Sequence, residues 1–405
     1  MPLGGGAAVA NHLIAEWNRT RPFELRLLAP SILGDAAPTA RELVLFSELR
    51  YARFCRRFER AVTEEILRHD PASTIVLSND VSEGPDFRRL AGRGFAVYTI
   101  YHVDVVAYVA AIYGRGLVSP ETLARAFGRL ERWKLNGLLP DVARLIFEKQ
   151  RASVEYSRGL IVPAAGMRDA LVRSYPGTPP EKIHVVPWGV WREDAGPEAV
   201  HAEARRLRAE FGVPDNALVI LTLSRISPEK GQDLLLEALL EWERRGDMPA
   251  QPLWVFLCGE AAFMRGRRFD ARLRALAGRL RRVRAVFPGY VAGARKLAFF
   301  RLADVYVFPS RHESYGLTLL EALAAGLPAI SLDHHGARAV MRPECGEIVP
   351  MGSKSQIVAG LRGALERMLA SEERRPGRGR ATSAARQFTG SAAAIAELLL
   401  RGRAG

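Results

Sequence analysis

The sequence is short of several things that would settle its chemistry at once. It holds three cysteines, Cys55, Cys258 and Cys345, far apart and without paired spacing. They cannot all pair with each other and have no metal-ligand company, which argues against a disulfide framework or a zinc site and for a reducing cytosol. No run nears the roughly 20 apolar residues that a membrane-spanning helix needs. Met1 to Ala10 has neither the basic start nor the apolar core of a secretion signal. Acidic residues are the minority charge, 44 against 58 Lys and Arg, for a net charge of +14. Basic clusters with interleaved aromatics are nevertheless lacking, as are helix-turn-helix, zinc-finger and ribonucleoprotein signatures, so nucleic acid is not an expected partner. Two accounts of the charge stay open. Runs such as Arg265-Gly266-Arg267-Arg268 and Arg281-Arg282-Val283-Arg284 form a solvated face, or they draw in an anionic partner, a membrane surface or a phosphorylated substrate.

What is present is an ordinary globular balance, 48% apolar and 25% charged. A chain of 405 residues is long for one domain, and each half could bury a full core unaided. Short β-rich apolar runs alternate with longer helical patterns, which predicts parallel α/β architecture. In the first half the expected strands are Glu24–Ala29, Thr74–Ser78, Ala96–Ile100, Gly159–Pro163 and Ile183–Pro187. After a polar, charged stretch from Arg192 to Glu210 come Ala217–Leu223, Leu253–Cys258, Val283–Phe287, Val305–Phe308 and Ala329–Leu332. Helices are expected at Ala7–Trp17, Leu234–Trp242 and Leu317–Ala325. The expected domains are 1–190, 191–375, and a tail, 376–405, whose helix Ser391–Leu400 packs back on the first domain beyond a charged hinge at Ser371–Arg380. Ligands of open parallel sheets sit beyond the carboxyl ends of the strands, so the expected site is a cleft between the halves.

Two stretches carry the chemistry. From Phe308 to Ala322 the order is strand end, polar loop with Glu313, then an apolar helix starting near Gly316. The free amides at that helix start and the positive end of the helix dipole make an anion site. Glu321, a turn and a half into the helix, could accept from paired sugar hydroxyls. Alternatively Glu313 is only a helix-start acid and Glu321 a solvated charge. The second stretch is Ser224-Arg225-Ile226-Ser227-Pro228-Glu229-Lys230-Gly231, at another strand's carboxyl end. There a guanidinium fork and a point charge bracket a proline-fixed turn, an arrangement suited to a diphosphate.

From Leu221 to Pro350 the chain resembles the donor-binding domain of family-four retaining glycosyltransferases of the GT-B type. The resemblance is carried by the Arg225-x4-Lys230 turn, the Glu313-x7-Glu321 loop and helix, Phe287-Pro288-Gly289-Tyr290-Val291, and Ala325-Gly326-Leu327-Pro328 with a strand after it. It implies two Rossmann-like domains with parallel sheets facing across a cleft, and transfer of a sugar from a nucleotide-diphosphate sugar to an unidentified acceptor, glycan, lipid or small molecule. By the resemblance Arg225 and Lys230 neutralise the leaving diphosphate and Glu321 holds the ribose. Glu313 contacts the transferred sugar, Ser314, Tyr315, Gly316 and Leu317 offer amides, and backbone near Tyr290 and Val291 frames the base. With two fixed cations and a helix start, no metal is required, and no cofactor beyond the donor substrate is implied. Neutralising the leaving phosphate is where such a site gains most of its rate.

The first half matches more loosely. Gly4-Gly5-Gly6 before the first helix resembles the family's glycine-rich loop, whose backbone approaches the donor phosphate; a flexible start is the alternative. His102 falls where the family has a donor-sugar histidine, and Asn79-Asp80 ends the preceding strand. His334 and His335 stand where a glycine pair and an acid are usual, and only Gly336 fits. The family opens with a strand before its glycine loop, so either the true start lies upstream or a core strand is lacking. Residues 105–150, with Tyr108, Tyr113, Trp133 and Phe147 among Arg and Lys, shape an acceptor site, a core or dimer surface, or a membrane-touching helix. A cytoplasmic enzyme, peripheral at an anionic inner membrane face, is the expectation. An inactive homologue serving as a binding subunit and a sugar-nucleotide epimerase or hydrolase are the rivals.

Overall fold

The computed structural model describes residues 5–39, 42–43, 46–112, 119–191, 195–262, 266–369 and 388–402. Two compact units divide the chain, Met1–Trp188 with Phe388–Gly405, and Gly189–Gln387.

In the first unit, β1 (Ile75–Ser78), β2 (Ala96–Ile100), β3 (Gly159–Val162) and β4 (Ile183–Val185) pair in parallel in that order. β3 is buried along its whole length, as expected for a strand covered on both faces. The helix Gly5–Thr20 buries Val9, Leu13 and Trp17, one stripe at four-residue spacing. It lies against the last helix, Phe388–Arg401, where the Trp17 indole donates to the Ala392 carbonyl at 3.0 Å. Ser391 then donates to the Pro187 carbonyl at 2.8 Å. Glu24–Ala29 is not a strand. It runs as irregular chain with Leu27 63% exposed, and its apolar alternation has no neighbouring strand to pair with.

The second unit holds β5 (Leu218–Leu223), β6 (Leu253–Cys258), β7 (Val283–Gly289), β8 (Val305–Phe308), β9 (Ala329–Leu332) and β10 (Gly346–Val349). All are parallel, in the order β10-β9-β8-β5-β6-β7. β5, β6, β8 and β9 are almost entirely buried, so they read as continuous apolar runs in the sequence. β10, an edge strand with half-buried Gly346, Glu347 and Ile348, carries no such run and escapes a sequence reading. The charged stretch after Arg192 contains a helix, Pro197–Phe211, opened by Pro at its first position and closed by left-handed Gly212. The expected hinge Ser371–Arg380 lies outside the described residues.

The strand order of this sheet reverses between β5 and β8. From β5 the chain progresses outward through β6 and β7, and from β8 it progresses the other way through β9 and β10. In open parallel sheets such a reversal leaves a crevice at the strands' carboxyl ends, because the two flanking crossovers depart to opposite sides.

Candidate functional site

Both chemistry-bearing stretches of the second unit emerge at this reversal, one after β5 and the other after β8. Tyr306 on β8 ties the two strands together at that end. Its hydroxyl donates to the Leu223 carbonyl (3.0 Å) and lies 2.9 Å from Thr318 Oγ1.

After β5, a short helical turn Pro228–Lys230 leads into left-handed Gly231 (φ 66) and the helix Gln232–Arg245. Glycine is needed at 231 for two reasons. The φ disfavours any L side chain, and a Cβ would lie 2.0 Å from the Pro309 carbonyl oxygen. The turn is pinned by Gln232, whose amide donates to Ser224 Oγ (2.9 Å) and the Arg225 carbonyl (2.8 Å). Glu229, buried, accepts from Ser227 (2.6 Å) and lies 3.9 Å from the Arg225 guanidinium.

After β8, the loop from Pro309 to Gly316 is clamped on that turn. The Arg311 amide donates to the Glu229 carbonyl (2.8 Å), and its guanidinium grips both oxygens of buried Asp233 at 2.9 Å each. This fork brings Lys230 and Glu313 together, with Nζ 2.5 Å from Oε2. Burial works to raise the Glu313 carboxyl, but the charge and hydrogen bond of Lys230 outweigh it. The acid is held below the ordinary carboxylate value and stays ionised. Ser314, Tyr315 and Gly316 are buried, and Gly316 (φ 83) caps the helix Leu317–Ala324. The first amides of that helix have no partner within it by its geometry.

Glu321 is not a solvated charge. It lies 3.0 Å from Lys296 Nζ, and both side chains are nearly buried. Lys296 belongs to the helix Gly293–Leu302, which starts just past Tyr290, exposed, and Val291, buried, at the end of β7. The loop after β9 completes the group. Gly336 donates to the Glu313 carbonyl at 3.3 Å, and a Cβ there would meet the Tyr315 backbone at 2.6 Å. His334 caps the short helix His335–Val340, its Nδ1 accepting the Ala337 amide at 3.0 Å. Burial pushes His334 down to about 4, so it is a neutral imidazole suited to that acceptor role.

In the first unit a smaller group gathers at the carboxyl ends of β1 and β2. His102 Nε2 lies 2.9 Å from Asn79 Oδ1, and the ring is 5.9 Å from that of Trp188. Burial lowers this imidazole too, to about 4. Gly6 packs on it, since a Cβ there would lie 2.9 Å from His102 Cδ2. Gly5 and Gly6 stand in the first turn of the helix Gly5–Thr20 rather than in a loop ahead of it; Gly4 lies outside the described residues. Sequence reasoning missed three long-range pairs: Arg311 with Asp233, Lys296 with Glu321, and, after β1, Tyr51 with Glu83 at 3.2 Å. A lysine or arginine at the start of a helix flanking a motif was the available signal for the second; the others have none in local spacing.

Residues 203–380, inside the second unit, match the family model described as glycosyl transferases group 1. Among curated relatives, a D-inositol 3-phosphate glycosyltransferase of Xylanimonas cellulosilytica is 32% identical over 236 residues, covering 57% of this chain and 53% of that protein. The chain spans about half the length of the curated relatives it matches. Among solved structures, a sucrose-phosphate synthase of Thermosynechococcus elongatus is 18% identical with a TM-score of 0.65, covering 98% of this chain and 93% of that one. HepE of Anabaena in complex with UDP-glucose is 17% identical with a TM-score of 0.55, over 87% of this chain and 80% of that one. At these identities the likeness is one of fold, the GT-B class of paired parallel α/β units.

Proposed function

We propose that this chain, whose residues 203–380 match the model of the group 1 glycosyl transferases, moves a sugar from a nucleotide-diphosphate sugar to an acceptor with retention at the anomeric carbon. The observation that carries the proposal is the convergence of Arg225, Lys230, Glu313 and the start of Leu317–Ala324 at the reversal of the sheet. Arg225 and Lys230 would meet the diphosphate, and the amides of Ser314 to Leu317 its oxygens and the sugar. Glu321, steadied by Lys296, would accept from the ribose hydroxyls, with backbone at Tyr290 and Val291 framing the base. Glu313, now held by Lys230, would turn to the sugar when phosphate takes its place on the lysine. For His102 and the backbone of Gly5 and Gly6 a donor contact is proposed on the family resemblance alone.

The bond broken is between the anomeric carbon and the leaving phosphate oxygen, and the bond formed joins that carbon to an acceptor oxygen on the same face. The acceptor's proton passes to the departing phosphate. Positive charge fixed beside that phosphate lowers the barrier because negative charge grows there in the transition state. The chain's own cations supply it, so the proposed reaction needs no divalent metal.

The UDP-glucose held by HepE makes a UDP-sugar the first donor to try, and the relatives' printed activity makes an inositol phosphate the first acceptor. No helix among the described residues is long and apolar enough to cross a membrane; a cytoplasmic location with peripheral contact at an anionic membrane face completes the proposal. The test is a thermal-shift series with UDP, GDP and ADP and their sugars in EDTA. One nucleotide should raise the melting temperature in proportion to the logarithm of its excess over Kd, and Arg225→Ala should abolish the shift. A shift that needs magnesium, or none with any nucleotide in folded protein, overturns the reading.

A further inference from the structure

The crossover from β2 to β3 carries the helices Val105–Ile112, Pro120–Arg132 and Asp141–Tyr156. The turn between the last two displays Trp133 (69% exposed), Leu135 (41%) and Leu138 (81%). The other large apolar side chains exposed among the described residues are scattered along the chain. This turn is built rather than loose. The Leu135 amide donates to the Leu130 carbonyl (2.8 Å) and the Lys134 amide to the Glu131 carbonyl (2.9 Å), with Lys134 left-handed (φ 58). The Leu138 and Leu139 amides bond back to Leu135 and Asn136 at 3.1 Å, and the Asn136 side chain reaches Glu148 at 3.4 Å. Three apolar side chains held out on a fixed frame mark a surface meant to be covered.

The charge beside them is of one sign. Arg125, Arg129 and Arg132 form one exposed stripe of the helix Pro120–Arg132, and exposed Lys134 follows. The opposite face is used for packing, where Phe127 stacks on Phe147 at 4.9 Å. The nearby acids are engaged: Glu121 with Arg173 (2.9 Å), Glu131 with Arg151, and Asp141 with Arg144 (2.6 Å). A second copy docked here about a two-fold axis would bring the same cations face to face, so self-association is disfavoured. An anionic lipid surface satisfies both halves. Trp and Leu enter the boundary between headgroups and acyl chains, where aromatic side chains concentrate, and the cations meet phosphate.

We propose that the turn from Trp133 to Leu138, with Arg125, Arg129, Arg132 and Lys134, is a docking tip for an anionic bilayer. It gives a surface to the membrane contact proposed above and does not depend on the donor site. The experiment is flotation of the full chain with vesicles of phosphatidylcholine alone and of phosphatidylcholine mixed with phosphatidylglycerol. The chain should float with the mixed vesicles only. Trp133→Ser with Leu138→Ser should weaken partitioning by about ten-fold or more. Arg129→Glu with Arg132→Glu should weaken it by about five-fold for each cation lost. All four positions are exposed, so both variants should keep the wild-type melting temperature and its nucleotide shift. Equal flotation with both vesicle types, or variants that float like the wild type, overturns the proposal. So does a dimer in sedimentation velocity that Trp133→Ser dissolves while flotation is absent. Flotation without any nucleotide shift would leave the tip standing and remove the transferase reading.

Discussion

Two loops, each at the carboxyl end of a parallel strand, carry a sheltered glutamate, and the two acids have opposite fates. Glu313, after β8, faces Lys230 at 2.5 Å and is held ionised. Glu83, after β1, faces the Tyr51 hydroxyl at 3.2 Å and the neighbouring carboxylate of Asp80. Burial and that like charge push it up to about 7. Shelter alone therefore does not decide the charge of such a group; the nearest ion does. In the second unit the deciding ion arrives from a loop 83 residues away in sequence, delivered by the Arg311–Asp233 fork. In the first unit the nearby Lys149 ammonium, on the Gly84 carbonyl at 2.8 Å, pairs with Glu59 rather than Glu83, and Asp80 spends its Oδ1 on the Ser82 amide at 2.7 Å.

The sharpest way to break the contrast is to remove the cation. Lys230→Met should turn Glu313 into a second Glu83, an acid with its pKa raised rather than lowered. Transfer should fall by about 100- to 1,000-fold through the lost charge at the leaving group, and stability by about 3 kcal/mol from the stranded partner. Turnover with the donor found by thermal shift, and urea unfolding at neutral pH, read the two effects. A variant within about three-fold of wild-type turnover would show that the lysine does not meet the phosphate. Gly231→Ala should do less to the chemistry and act mainly through the fold. Its Cβ collides with the Pro309 carbonyl in a left-handed conformation, so a loss of about 2 kcal/mol or more is expected, with weaker donor binding because Lys230 shifts away from Glu313. An unchanged melting temperature would mean that the two loops are not pressed together there.

The smallest effect tests the other acid. In the unfolded chain Glu83 titrates near its ordinary 4.5 and in the folded chain near 7. Between those values the folded state holds the extra proton, so raising the pH across that window costs stability. His102 and His334, lowered to about 4 from 6.5, act in the opposite sense: their unfolded forms hold the proton, and stability rises with pH between about 4 and 6.5. Glu83→Gln should therefore remove a falling contribution and leave a steeper rise. Urea midpoints of the two proteins at a series of pH values check this. A difference between them that does not change from pH 4.5 to 7 would place Glu83 in water.

The contrast also marks what the sequence alone can reveal. Strands β5, β6, β8 and β9 were legible because burial on both faces writes them as unbroken apolar runs, and the paired basic turn and glutamate loop were legible because they follow those strands directly. Glu24–Ala29 has the composition of a strand, but a strand exists only with a partner, and composition does not supply one. The grip of Arg311 on Asp233, the pairing of Lys296 with Glu321 and the neighbourhood of Glu83 depend on which loops meet. Local spacing does not encode that. His334 looked like a departure from a glycine pair and an acid; its role as a helix cap follows from where its backbone turns, which its identity did not foretell.

The bond from Trp17 to the Ala392 carbonyl joins residues 375 positions apart, and the first unit is made of two stretches with the whole second unit between them. In topological terms the second unit is an insertion in the first. During synthesis the helix Gly5–Thr20 emerges before the second unit, yet the helix it packs against, Phe388–Arg401, follows only after the whole of that unit. Domains generally fold as they appear, so the second unit is able to finish first while the earlier-made one waits, its Trp17 indole still without the Ala392 carbonyl. A chain cut short within the second unit would leave the helix Gly5–Thr20 without that packing partner, a natural handle for chaperones and proteases that survey unfinished proteins.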